Sequence, residues 1–145
     1  HELVQLGQAA QERFTLVDVA RPILAALRDE TGESVQLFVP AGRQRRCVVS
    51  LESPHGLRWI VPEGSVFSLD VGSAGRVLSG EALTNGWIES VGEREAGVAS
   101  VSAPVVDEHG ALVGAVSVSG PVERLSKQPG RRFGDAVAHA AAALS

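Results

Sequence analysis

Two serines stand two positions apart in the stretch AVSVSGP, residues 115–121. Residues with this spacing in a β-strand share one face of the sheet, so Ser117 and Ser119 point to the same side. A solvent-facing strand usually carries charged side chains, and a core-facing strand carries branched apolar ones. Hydroxyl groups both donate and accept hydrogen bonds, so the chemistry that this pair indicates is recognition of a polar ligand.

The hairpin that holds these serines is the clearest unit in the sequence. Residues 98–121 predict two strands joined by a turn at residues 107–110. If Val106 lies opposite Ala111, Ser100 faces Ser117 and Val98 faces Ser119. One face then holds no charge and consists of Ser100, Ser102, Val113, Ala115, Ser117 and Ser119. The apolar face consists of Val101, Ala103, Val105, Leu112, Val116 and Val118. The serine face is either a wet surface or the floor of a ligand cavity, and its lack of charge favours the cavity.

A second candidate feature is the glycine-rich turn DVGSAGRVL, residues 70–78. It predicts a short helix that starts near Ser73 and ends at Gly80. Free backbone amides at a helix N-terminus favour an anion such as a carboxylate. Most such turns only cap their helix, but together with the serines this one suggests a site for a small organic acid.

Catalytic and metal-binding alternatives find little support in the residue pattern. The four histidines, His1, His55, His109 and His139, do not adjoin a GxSxG nucleophile elbow. No pair of His, Cys or acidic residues has the spacing of metal ligands. The single cysteine, Cys47, is typical of a buried strand residue. We therefore predict no catalytic residues, no metal site, no cofactor and no enzymatic activity.

Composition limits the partners of the chain. It has 145 residues, of which 44% are hydrophobic and 21% charged, with a net charge of −4. This charge argues against nucleic-acid binding by these residues alone. The sequence has neither a membrane-spanning apolar run nor a signal peptide, so we expect a cytoplasmic protein. It contains no methionine and begins within a helical pattern, so we also expect it to be one domain of a longer protein.

The remaining segments predict an α+β fold. Residues 3–14 are typical of a linker helix, and residues 15–31 of a second helix that Pro22 kinks or begins and Gly32 ends. Strands are expected around residues 35–39, 49–51 and 57–61, and a helix after Pro129 with a stripe of Phe133, Val137, Ala141 and Leu144. We expect the helices to cover one side of an antiparallel sheet.

The order of these blocks resembles the C-terminal, effector-binding domain of IclR-type bacterial transcriptional regulators. The blocks that carry the resemblance are ETGE, GSAGRVL, EAGV followed by APVVDEHG, and SVSGP. The resemblance implies a GAF-like antiparallel sheet with a ligand pocket on one face, in residues 15–145. It also implies an N-terminal winged helix-turn-helix outside this chain, of which residues 1–14 continue the linker. Partners would be a small carboxylate or aromatic acid, further copies of the chain in a dimer or tetramer, and DNA through the absent domain, with no membrane.

The resemblance also implies a set of ligand-binding residues. The backbone amides of Ser73, Ala74 and Gly75 would face the acid group. Side chains of Ser90, Ser100, Ser117 and Ser119 would line the pocket, and Trp59 and Val61 would add apolar contacts. The family often has an acidic or thiol side chain where Ser90 and Ser100 stand, so the sequence leaves the identity of the effector open.

One segment departs from the family pattern. Regulators of this type usually have a longer helical segment between GRVLSG and GW, where this chain has only residues 81–86. Either the protein has lost that segment or the written sequence omits it. Other functions also stay open: a GAF-like sensor or dimerisation module attached to another output domain, a domain that only oligomerises, or a small hydrolase. The sequence does not decide between activation and repression, or identify an operator or pathway.

Overall fold

The computed structural model of the protein describes residues 2–55 and 60–145. The elements in chain order are α1 (Glu2–Thr31), β1 (Ser34–Ala41), β2 (Gln44–Leu51), β3 (Val66–Ser68), α2 (Gly72–Leu78), β4 (Ile88–Val91), β5 (Val98–Val106), β6 (Leu112–Pro121), α3 (Val122–Leu125) and α4 (Pro129–Ala143). No helix in this part of the chain is both long and apolar enough to cross a membrane.

The strands form one antiparallel sheet of six, in the order β3-β2-β1-β6-β5-β4. The fold is therefore α+β, as predicted. Strand β1 connects the β1–β2 hairpin to the β5–β6 hairpin, because it pairs with β2 on one side and with β6 on the other. This order places the serine-bearing strand β6 beside β1 in the middle of the sheet, with β5 next to β6.

Helices α1 and α4 bury their apolar stripes on one face of this sheet. Ala20, Leu24 and Leu27 recur at helical spacing along α1 and are almost fully buried. The strands contribute the alternating residues Val35, Leu37, Val49, Val101, Val105, Val116 and Val118 to this core. Phe133, Val137 and Ala141 come from α4, as its predicted stripe requires.

Helix α2 lies on the opposite face, so the expectation that all helices cover one side is wrong. A smaller apolar cluster fixes α2 there and includes Phe38, Cys47, Val61, Ala74 and Val77. Several strands present small side chains to this face, and these leave room for α2, a short helix of seven residues. The serine face is thus covered by α2 and is not exposed to solvent.

Helix α1 is one continuous element through Pro22. Residues 3–14 and 15–31, expected as two helices, both belong to it, and Pro22 is an exposed position within it. The predicted end at Gly32 is confirmed: its φ is +72°, and its amide donates to the Arg28 carbonyl at 2.7 Å.

The predicted strand at residues 57–61 lies largely outside the described residues. Ile60 and Val61 do not belong to a strand. The next strand is instead β3, at residues 66–68, where a loop was expected. It pairs with β2 at the edge of the sheet, and its three residues are too few to reveal an alternating pattern.

Away from its turn, the hairpin of β5 and β6 has the predicted faces but not the predicted register, whereas Val113, predicted on the serine face, packs with the apolar core on the other face. Ser100 lies opposite Ser119, and Ser102 opposite Ser117, so each pairing is displaced by two residues. The displacement has two sources: Val106 pairs with Leu112 instead of Ala111, and a bulge follows between Val105 and Val106. A displacement of two positions leaves the serines on their predicted face, because the side-chain period of a strand is two.

The short connection before β4 is a tight turn. The Thr84 amide donates to the Trp87 carbonyl at 2.8 Å, and the Trp87 amide donates back at 3.1 Å. Asn85 and Gly86, between them, have φ values of +54° and +92°. An Asn-Gly pair is the usual choice where both central residues need a positive φ. Residues 81–86 thus link α2 to β4 without a helix.

Candidate functional site

Polar side chains form two neighbouring rows across the face that α2 covers. In the first row, Ser90, Ser100, Ser119 and Ser34 pair across strands β4, β5, β6 and β1. In the second row, Ser102 and Ser117 pair with each other, and Ser117 pairs with Gln36 of β1. The serine face is therefore a patch four strands wide, not a feature of one hairpin.

Helix α2 contributes a further hydroxyl from above. Gly72 starts the helix at a φ of +83°, and this bend directs Ser73 towards the sheet. The Ser73 Oγ lies 2.7 Å from the hydroxyl oxygens of both Ser100 and Ser102. The Ser102 hydroxyl in turn lies 2.5 Å from that of Ser117. Four hydroxyl groups joined by three hydrogen bonds retain one further proton that can be donated to a ligand.

A small cavity lies between α2 and these rows. Its walls are formed by Gln36, Phe38, Arg45, Gly72, Ser73, Ala74, Ser90, Arg94, Val98, Ser100, Ser117 and Ser119. Its volume is about 20 Å³, enough for one water molecule. A larger ligand fits only if the walls of this cavity move apart.

Gln36 places an unused donor at one end of the cavity. The Ser119 hydroxyl donates to its Oε1 at 3.0 Å, which fixes the orientation of the amide. The Nε2 of Gln36 is buried and has no hydrogen-bond partner among the described residues. An unpaired buried donor costs about 1–3 kcal/mol, so this position favours an added acceptor.

Arg45 places a positive charge at another wall. Its side chain is 1% exposed, and its Cζ lies 5.2 Å from the Phe38 ring centroid and 5.3 Å from that of Phe67. The Nη1 group donates to the carbonyl oxygens of Ser68 and Val71, whereas Nε has no partner in the described part of the chain. Burial, with a smaller contribution from Arg94, lowers the pKa of Arg45 to about 10, so the guanidinium is charged at neutral pH.

The structure brings six of the nine sequence-predicted ligand residues to this cavity: Ser73, Ala74, Ser90, Ser100, Ser117 and Ser119. Gly75 is buried in α2 but does not line the cavity, because it packs closely against Arg45 and the Leu69 carbonyl. Val61 is 1% exposed and packs in the apolar cluster under α2. Trp59 lies outside the described residues. The ligand-binding roles of all nine stay predictions.

Sequence reasoning missed Gln36, Arg45 and Arg94. The alternation of Val35, Leu37 and Val39 already places Gln36 on the opposite face of β1, where the serines lie. Arg45 belongs to the run RQRR, which is typical of a solvated turn, and only the pairing of β2 with β3 encloses it. The position of Arg94 depends on the packing of the turn after β4, which has no signal in the sequence.

The described residues contain no group of three metal-ligating side chains close enough to hold a metal ion. Burial raises the pKa of the Cys47 thiol to about 12, so this sulfur is a poor nucleophile at neutral pH.

Comparisons with known proteins agree with the fold. Residues 80–145 match the family model described as the C-terminal domain of the bacterial transcriptional regulator IclR. The transcriptional regulator BhcR of Paracoccus denitrificans is 27% identical over 174 positions, which cover 96% of this chain and 62% of that protein. The glycerol operon regulatory protein of Streptomyces griseus is 47% identical over 62 residues, which cover 41% of this chain and 24% of that protein. The chain thus spans less than two thirds of the length of either relative.

Solved structures extend the match to the whole fold. The C-terminal domain of a protein described as a transcriptional regulator from Vibrio cholerae is 28% identical, with a TM-score of 0.76 over 87% of this chain and 94% of that one. Pseudomonas aeruginosa HmgR superposes with a TM-score of 0.83 over 99% of this chain and 71% of that one; at 22% identity it supports the fold alone.

A curled antiparallel sheet with long helices on one face and a short helix on the other is a GAF-like α+β fold. The relatives above are transcriptional regulators and not enzymes, which supports the prediction of a domain without catalysis. The chain is thus similar to the C-terminal domains of IclR-type bacterial transcriptional regulators, in sequence over residues 80–145 and in structure over most of its length.

Proposed function

We propose that this domain senses a small organic acid in the cavity between α2 and the serine face. The observation that carries the proposal is a pair of buried donors, the Gln36 Nε2 and the Arg45 Nε, that lack partners beside this cavity. Five of the ten other residues that line the cavity are serines. An acceptor-rich ligand of small size, a small carboxylate or an aromatic acid, would satisfy donors that the protein alone leaves unpaired.

Binding would change the conformation of the domain, because the cavity holds about one water molecule. A ligand would bind an arrangement in which α2 has moved away from the sheet. In the structure described above, α2 packs against Phe38 of β1, and the other face of β1 packs against α1. Helix α1 is the first element of the chain, and in the proposed full protein the DNA-binding domain would precede it. Coupling energies between such sites are typically about 1–3 kcal/mol.

The full protein would act in the cytoplasm as a dimer or tetramer, with this domain contributing self-association as well as sensing. DNA would be bound by a separate N-terminal winged helix-turn-helix, which fits the net charge of −4 on this chain.

Calorimetry and thermal shift with a panel of small and aromatic acids test the proposal. We expect at least one acid to stabilise the protein, and we expect Ser117→Val with Ser119→Val to reduce its affinity by at least tenfold. The matched control is Ser50→Val, a half-buried serine of β2 that does not line the cavity and should leave affinity unchanged. Circular dichroism verifies that each variant is folded. Unchanged affinity in the folded double variant would place the acid elsewhere, and no binding by any acid would leave the domain with self-association alone.

A further inference from the structure

Arg45 is a buried cation without a counter-ion in the described part of the chain. Its described contacts are the Ser68 and Val71 carbonyls and the faces of two phenylalanine rings. No carboxylate in the described ranges forms an ion pair with it, and the charged group that lowers its pKa is another guanidinium, that of Arg94. Both guanidinium groups lie over the Phe67 ring, since the Arg94 Cζ is 5.0 Å and the Arg45 Cζ 5.3 Å from the ring centroid.

A cation in this position is costly unless something neutralises it. Buried charges are normally paired, because removing them from water costs several kcal/mol. Carbonyl dipoles and ring faces offset part of this cost, but they bring no negative charge. The Arg45 Nε is also left without an acceptor, although it is fully buried beside the cavity. An anion in the cavity would supply both the charge and the acceptor.

The remaining walls indicate the rest of the ligand. Hydroxyl or amide groups come from five serines and Gln36, whereas apolar side chains come only from Phe38, Ala74 and Val98. An aromatic ring against these walls would leave two donors without an acceptor, namely the one hydroxyl proton that the serine network retains and the Gln36 Nε2. A ligand with its own hydroxyl groups would instead continue the network of Ser100, Ser73, Ser102 and Ser117.

We infer that the ligand is a hydroxylated aliphatic anion whose charged group binds Arg45, while its hydroxyl groups bind the serine face. The inference rests on the proposed function, because it concerns the same cavity. It assigns the charge contact to a side chain of β2 and not to the backbone amides of α2, and it excludes aromatic acids as the preferred class. The charged group is a carboxylate or a phosphate monoester, both of which suit a guanidinium.

Five probes separate the parts of this inference by isothermal titration calorimetry. Glycerate and glycerol phosphate carry charge and hydroxyl groups, propionate carries charge alone, glycerol carries hydroxyl groups alone, and benzoate is the aromatic acid. We expect glycerate or glycerol phosphate to bind at least tenfold more tightly than the other three, and the tighter of the two identifies the charged group. Tighter binding of benzoate or propionate would overturn the inference and leave the proposed function intact. Binding by none of the four anions would count against both.

Arg45→Gln tests the residue itself. We expect it to weaken binding of the charged probe about 10- to 100-fold and to leave glycerol binding unchanged, because a charged hydrogen bond is lost. Arg43→Gln removes the same charge from an exposed position near β2 that does not line the cavity, and should change neither. If Arg45→Gln does not fold, Arg94→Gln is used, with the same expected direction. Equal weakening of the charged probe by the Arg43 and Arg45 variants would overturn the assignment, because only general charge would then matter.

Discussion

Replacement of Gly130 by alanine tests how closely helix α4 packs against Trp87, the residue before the edge strand β4. The Trp87 ring lies on Gly130 and Gly134, which are one helical turn apart on the same side of α4. A Cβ added at Gly130 would stand within 2.6 Å of three atoms of that ring. Carbon atoms need about 3.5 Å, so the ring or the helix has to shift by about 1 Å or more.

The expected cost follows from two opposing effects. Overpacking a tight site typically costs about 1–3 kcal/mol, whereas alanine regains up to about 1 kcal/mol of helix propensity over glycine. We therefore expect Gly130→Ala to lower the free energy of unfolding by about 1–2 kcal/mol, or the Tm by about 3–6 °C. Shifting Trp87 also disturbs Glu89, whose Oε2 accepts a hydrogen bond from the Gly130 amide at 2.8 Å.

Urea unfolding followed by circular dichroism measures this effect. Arg131→Ala, at the next and exposed position of α4, is the matched control and should change stability by less than about 0.5 kcal/mol. In a Trp87→Ala background the clash is gone, so the same Gly130→Ala change should become neutral or stabilising. The reasoning is refuted if Gly130→Ala alone stabilises the protein, because the gain in helix propensity would then outweigh the cost of overpacking.

Further predictions concern the other buried polar groups. Cys47 should resist alkylation by iodoacetamide at pH 8 in the folded protein and react after unfolding, because its pKa is raised to about 12 and the thiolate is absent at that pH; rapid alkylation without urea would contradict its burial. Ser102→Ala should lower the free energy of unfolding by about 1–3 kcal/mol in urea titrations, since it removes two hydrogen bonds and leaves the buried Ser117 hydroxyl without its partner. Arg124→Ala should cost about 2–4 kcal/mol, since the Glu33 carboxylate is 3% exposed and binds Arg124 through two oxygens. The double variant with Glu33→Ala should cost less than Arg124→Ala alone, and a larger cost would show that the ion pair is not the reason.

Local periodicity was sufficient to predict the faces of the central hairpin away from its turn. The alternation of serine and valine in β6 assigns Ser117 to one side and Val118 to the other whatever the register. The register itself depended on a bulge next to Val105, and a bulge has no reliable signal in a sequence. The strand pairings were therefore wrong by two positions, whereas the candidate site residues on the two strands were unaffected.

Features that depend on distant packing were not predictable. The side of the sheet on which α2 lies is set by the small side chains of several strands, among them Ala115. The burial of Arg45 depends on β3 and on the loop before α2, which no local pattern in RQRR reveals. Sequence reasoning therefore described the floor of the cavity and missed the charged wall that now defines its chemistry.

A crystal structure of the protein with the tightest-binding acid of the panel tests the central claim most directly. We predict density for the acid between α2 and the serine face, with its charged group within about 3.2 Å of the Arg45 guanidinium and α2 displaced from the sheet. A ligand in the open groove beside Trp87, or in any other place that leaves the Gln36 and Arg45 donors unpaired, would contradict the claim.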